Sequence, residues 1–161
     1  MPSQRDGRAR MMNKIHQKLN TRARMISKIH HKLFTATKGR IGHSLFGVKV
    51  VALTTIGRKS GQLRTTMVGG PIIGDDMIVL VASYGGAPTN PQWYLNLKAN
   101  PEVQVTFKNA RKMVTRKMVA READGDERAA LWPRVVAVFT KFEELQADTE
   151  RRIPVVVLEP A

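Results

Sequence analysis

The sequence predicts a mainly β fold of the α+β type: about six antiparallel strands closed into a small barrel, with packed helices and an N-terminal amphipathic helix. Three observations carry that expectation. Between residues 48 and 159, β-branched and apolar runs recur with turn residues between them, and only two helical patterns interrupt them. Residues 1–40 hold eleven Lys or Arg and a single acid, Asp6, whereas residues 41–161 hold sixteen bases and twelve acids. With 161 residues, 42% of them apolar, the chain can bury one real core and carry an appendage. The expected division is a helical segment over 1–38 and a barrel domain over 39–161.

The N-terminal segment contains a tandem repeat. RARMMNKIHQKLNT (8–21) is followed by RARMISKIHHKLFT (22–35), ten of fourteen positions being identical. Fourteen residues make nearly four helical turns, so Met12, Ile15 and Leu19 recur as Ile26, Ile29 and Leu33 on one stripe flanked by Lys and Arg. Three roles fit: a helix packed on the domain, a frayed basic tail, or an interfacial helix on anionic lipid. Nucleic acid fits less well, because the repeat lacks base-stacking aromatics. His16, His30 and His31 have no acid or thiol beside them in the sequence, which favours a solvated or lipid-facing role over metal ligation.

After the turn-rich 36–47, VKVVALTT (48–55) reads as a buried strand and LRTTMVGG (63–70) as its alternating partner. MIVLVAS (77–83) follows the turn GDD. EVQVTFK (102–108) and KMVTRKMVARE (112–122) form a hairpin about NAR, and IPVVVLE (153–159) is the last strand. NPQWYLNLKAN (90–100) reads as a helix with Asn90 as N-cap and Pro91 at the first helical position. DGDERAALWPRVVAVF (124–139) reads as a second, opened by acids.

The formal charge of +14 points to a polyanionic partner. With no cysteine there is no disulfide, thiolate metal site or cysteine nucleophile, which is compatible with a cytoplasmic setting. No window has the length and apolarity of a membrane span. In TTIGRKSGQLRTT (54–66), Gly57 and Gly61 permit turns that aim N–H groups inward, and Arg58, Lys59 and Arg64 add charge, which together would make an anion nest. A solvated hairpin fits the composition equally well. The loop is not a nucleotide-binding P-loop, since a strand follows it. No triad or carboxylate pair suggests hydrolysis.

GRKSGQLR, NPQWYLNLKANP and RRIPVVVLEP, in that order, resemble successive blocks of the deazaflavin-dependent nitroreductase family, split-barrel quinone reductases that use coenzyme F420. The resemblance runs from about Gly39 to the C-terminus. It implies a split β-barrel and an elongated polyanionic cofactor with one flat end. It places Arg58, Lys59 and Ser60 at the cofactor's phosphate and glutamate tail, and Arg64, Thr65, Thr66, Met67, Val68 and Gly69 on the strand beside it. Val81, Ala82, Ser83 and Tyr84 fall at the ring, with Ser83 and Tyr84 as the catalytic candidates. Gln92, Trp93, Tyr94, Leu95 and Asn96 fall at the helix start that closes the pocket, although the spacing of Trp93, Tyr94 and Leu97 also fits a core face.

The chain departs from the family's nitroreductase branch where pocket tyrosines would fall. It has Phe139, Phe142 and Leu145 on VAVFTKFEEL, and Gly69 on the strand. Phenylalanine keeps an apolar wall but removes the phenol. The resemblance therefore implies hydride transfer from reduced F420 to a larger, apolar, quinone-like acceptor. With the basic helix it suggests a cytoplasmic protein peripheral on the inner face of the membrane. Two alternatives stand beside this: a split-barrel relative that binds FMN or a lipid without F420-dependent turnover, and a basic protein that binds nucleic acid through its tail.

Overall fold

The computed structural model describes residue 18 and residues 21–22, 25–40, 42 and 44–161. Most of the first repeat copy, including Met12, Ile15, His16 and Leu19, lies outside the described residues. Helix α1 spans residues 25–36. Eight strands follow: β1 (Ser44–Leu45), β2 (Val48–Ile56), β3 (Leu63–Gly69), β4 (Ile72–Ile73), β5 (Ile78–Val81), β6 (Glu102–Asn109), β7 (Lys112–Glu122) and β8 (Val155–Pro160). Helices α2 (Gln92–Ala99), α3 (Gly125–Val138) and α4 (Lys141–Ala147) complete the chain.

All six expected strands are present, and β1 and β4 add two-residue pairings too short to leave a periodic signal. Every pairing is antiparallel, in the order β3-β2-β6-β7-β8-β5-β4, with β1 on the start of β2. The ladder therefore has two ends, β3 and β4, with no hydrogen-bonded pairing between them among the described residues. The barrel is split there.

Side-chain alternation sorts the sheet's two faces. Val51 and Leu53 of β2, Val68 of β3, Leu80 of β5, Val105 and Phe107 of β6, Met118 of β7 and Leu158 of β8 point inward. Trp93, Tyr94 and Leu97 of α2 close the same core. On the outer side of β5 and β8, Val79, Val81, Val155 and Val157 pack against Leu131 and Val135 of α3 and Phe142 of α4. Over β2 and β3 the outer side is taken by α1. Phe34 is fully buried, Val48, Val50 and Ala52 are buried on that face, and the Met67 N–H donates to Ser27 Oγ at 3.1 Å.

Two local readings need correction. The helix start lies one residue later than expected: Pro91 occupies the N-cap position and the Asn90 side chain is engaged elsewhere. The second helix ends at Val138 because Phe139 is extended (φ −149°, ψ 96°), and α4 begins anew at Lys141. At the start of α3 the acids act as read, Asp124 accepting from the Glu127 N–H.

Tyr94 is fixed by a 2.6 Å hydrogen bond from its hydroxyl to Glu122. Burial, and then the Glu122 carboxylate, push the phenol well above its ordinary value of 10.0. The unfolded chain releases this proton near pH 10 while the native state still holds it, so its contribution to stability is full below pH 10 and declines as pH rises further. Tyr94→Phe is expected to cost about 1.5–3 kcal/mol near neutral pH, since the lost bond reaches a charged group. Urea unfolding at about pH 8 and about pH 11 should also show a shallower alkaline decline for this variant than for the parent chain.

Candidate functional site

Two turns meet the start of α2, one through Arg58 and Gln92 and the other through Arg151 and Asn90. The first turn is the tip of the β2–β3 hairpin, residues 57–62. Its geometry differs from the nest expected there. The Gly57 N–H donates to the Gln62 carbonyl at 2.8 Å, those of Ser60 and Gly61 donate to the Gly57 carbonyl, and that of Gln62 donates to Ser60 Oγ. The Arg58 N–H donates to Asn96 Oδ1. The glycines tighten the hairpin, and its N–H groups are largely consumed in doing so.

What the tip offers is side-chain charge. Arg58, Lys59 and Arg64 are exposed, and none of them reaches a carboxylate among the described residues. The ion pairs among the described residues are Lys98–Glu122, Arg116–Asp75, and Arg121 with Glu127 and Glu159. Arg58 Nη1 instead donates to the neutral oxygens of Gln92 and Asn96, at 3.0 and 3.2 Å, and Arg64 donates to Gln62 Oε1. These contacts hold the guanidinium groups in place without neutralising them.

Asn96 joins this tip to α2. It is a buried polar side chain whose Oδ1 accepts twice from Arg58 and whose Nδ2 donates to Thr55 Oγ1 at 3.2 Å. Both of its ends are used within the protein, so it positions Arg58 and does not face a ligand. Trp93 and Tyr94, at 8% and 7% exposure, also face the core, whereas Gln92 is exposed beside Arg58 and Leu95 is partly buried. On β3, alternation puts Arg64, Thr66 and Val68 on the side of the interior, and Thr65, Met67 and Gly69 on the side of α1. There Met25, Lys28, Ile29, His31, Lys32 and Thr65 line a cleft of ≈ 330 Å³.

The second turn, residues 82–87, carries Ser83 and Tyr84. Val81 and Ala82 are buried beneath it, while Ser83 and Tyr84 are partly exposed. Tyr84, Gly85 and Gly86 are successively left-handed, with φ of 48°, 62° and 73°. For a tyrosine this costs about 1–2 kcal/mol. At Gly86 a Cβ would only touch Leu145 of α4, 3.4 Å away, so it is the φ of 73° that favours glycine there.

Arg151 offsets the cost. Its Nε donates to the Ala87 carbonyl at 2.7 Å, Nη1 to the Ala82 carbonyl and Asn90 Oδ1 at 3.1 and 2.9 Å, and Nη2 to the Ser83 carbonyl at 2.7 Å. Burial pulls its pKa below the ordinary arginine value, yet the group remains a cation. Sequence reasoning gave Arg151 and Asn90 no part in the site. The signal was that Arg151 opens RRIPVVVLEP, a block of the family resemblance, just before the last strand. Phe142, expected in the pocket, is buried between α3, α4 and the sheet, its ring edge-on to Phe139 with centroids 5.0 Å apart, so it braces α4.

An unclosed antiparallel barrel, with exposed cations at one turn and a left-handed turn at the other, defines a split-barrel protein. A protein-family model described as F420H(2)-dependent quinone reductase matches residues 26–160. An F420H(2)-dependent quinone reductase of Mycobacterium tuberculosis (strain ATCC 25618 / H37Rv) is 40% identical over 127 residues, covering 78% of this chain and 83% of that protein. A second protein of that organism, provisionally given the same activity, is 45% identical over 83 residues, covering 52% of this chain and 66% of that one. The solved structure of an F420-H2 dependent reductase, FDR-A, superposes with a TM-score of 0.58 at 37% identity, covering 68% of this chain and 93% of that one. The chain belongs to the F420H(2)-dependent quinone reductase family, a family of oxidoreductases whose cofactor is coenzyme F420.

The residues present fit such a cofactor, because three cations free of carboxylates suit a phosphate and glutamate tail. Asn96→Ala should cost about 1–3 kcal/mol in urea unfolding, since it leaves the Arg58 N–H without its acceptor and removes the donor to Thr55 Oγ1, which keeps only its long bond to the Arg64 carbonyl. Gln92→Ala, at an exposed position, should cost under about 0.5 kcal/mol in the same measurement.

Proposed function

We propose that the chain takes a hydride equivalent from reduced coenzyme F420 and delivers it to a quinone-like, electron-poor and apolar acceptor at a membrane surface. The observation that carries the cofactor half is the exposed trio Arg58, Lys59 and Arg64, held by neutral partners and uncompensated by acids. F420, when bound, supplies the hydride and most of the reactivity. The protein's part is to hold the polyanionic end at the hairpin tip, to seat the flat end beside Ser83 and Tyr84, and to keep water from the transfer. Tyr84 offers the nearest phenol for product protonation, its other role being pocket wall.

The acceptor half rests on α1. Met25, Ile26, Ile29 and Leu33 stand exposed on it, Ile26 at 64%, among Lys28, His31 and Lys32. Residues 1–40 carry eleven bases against one acid. A helix with apolar and cationic surface suits the interface of an anionic bilayer, where a lipid-soluble acceptor is concentrated. No helix among the described residues is long and apolar enough to cross a membrane.

Titration with F420 and with FMN, followed by cofactor fluorescence, tests the first half. Tight F420 binding and reoxidation of the reduced complex by menadione are expected. Preference for FMN, or no F420 binding, would replace this reading with that of a non-F420 split-barrel protein. Replacing Arg58 and Lys59 together with alanine should weaken F420 binding at least about tenfold. For the second half, the full chain should sediment with anionic vesicles and lose that association in an Ile26→Glu, Ile29→Glu variant, both positions being exposed. Equal sedimentation of the two would exclude the membrane role.

A further inference from the structure

The turn at residues 82–87 contains the donor cluster that the hairpin tip lacks. Peptide units here are trans and planar, so each C=O points opposite to the N–H of the next residue. Arg151 draws the carbonyls of Ala82 and Ser83 to one side of the turn. The N–H groups of Ser83 and Tyr84 are thereby turned to the other side. Neither of them, nor the Gly85 N–H, has an acceptor among the described residues, although the Ala82, Gly86 and Ala87 N–H groups flanking them are all bonded. Ser83 is right-handed (φ −67°, ψ −38°) and Tyr84 left-handed (φ 48°), the succession that makes adjacent N–H groups converge on an anion or a carbonyl oxygen.

We propose that Arg151 is a positioning residue of the site: by gripping the Ala82 and Ser83 carbonyls it presents the Ser83 and Tyr84 N–H groups as paired donors to the carbonyl-bearing edge of the cofactor's ring. This rests on the F420 reading of the site. The guanidinium also withdraws electron density through both peptide groups, which strengthens N–H donation on the far side. Such donors favour whichever state of the ligand carries more negative charge on its acceptor edge. Arg151 thus acts on the ligand through the backbone, without touching it. Lysine keeps the charge but lacks the fixed fork that holds two carbonyls at once.

The test measures dissociation constants of oxidised and reduced F420 for the full chain and for Arg151→Lys, with melting temperature as the check on folding. A fall of at least about tenfold in affinity for one redox state, with a smaller change for the other, is expected; it corresponds to a shift in the bound cofactor's potential. Equal losses for both states, or none, in a folded variant would reduce Arg151 to a structural residue. Should Arg151→Lys not fold, Ser83→Pro serves instead. The native φ of −67° suits proline, and the substitution removes an N–H that has no partner among the described residues. Compared with Ser83→Ala, which keeps that N–H, Ser83→Pro should bind F420 at least about tenfold more weakly, and equal binding by the two would overturn the donor role. Failure of the unaltered chain to bind F420 would remove the cofactor reading itself and this proposal with it.

Discussion

Because β3 and β4 end the ladder without pairing to each other, the sheet cannot close, and the architecture follows from how that gap is managed. Inside, Val68 of β3 and Leu80 of β5 meet in one core with Leu53, Phe107 and Leu158, so the gap is a break in hydrogen bonding and not in packing. Hydrophobic burial holds the two edges near each other while leaving both turns beside the gap free to diverge. The hairpin tip is then fastened to α2 by Asn96, and the 82–87 turn to the approach of β8 by Arg151. Each fastening is a buried or half-buried polar group with its bonds satisfied, so each specifies one geometry.

The two turns divide the work by chemistry. At the hairpin tip, glycines let the backbone bond to itself and side chains supply the charge. At the second turn, a side chain binds the carbonyls and the backbone supplies the donors. The first arrangement is long-reaching and tolerant, suited to a tail of several anionic groups. The second is short-range and directional, suited to a planar ring edge.

The strands were legible by two different signals: EVQVTFK keeps the period of two of a half-buried strand, whereas VKVVALTT and IPVVVLE are continuous β-branched and apolar runs whose strands are buried on both faces. β1 and β4, with two residues each, carry no period to read. The break between α3 and α4 was hidden because Phe139 has an ordinary residue identity and only its backbone is extended. In the site, the cations of GRKSGQLR were visible as charge, but whether their loop offered N–H groups depended on bonds to Gly57 and to Asn96, thirty-eight residues on from Arg58. Arg151 was still less legible, since its partners lie 61 to 69 residues away in sequence. Trp93, Tyr94 and Asn96 stand in the first turns of α2, and burial gives their side chains to the core and to Arg58.

The bond from the Met67 N–H to Ser27 Oγ gives α1 a further consequence. β3 is an outermost strand, and such strands present unpaired backbone groups to any other extended chain. A helix packed against β3, with one hydroxyl on a part-buried N–H of that strand, covers part of this edge. The helix that presents cations to the surroundings thus also covers part of a sheet edge, and a chain without α1 would leave that strand uncovered.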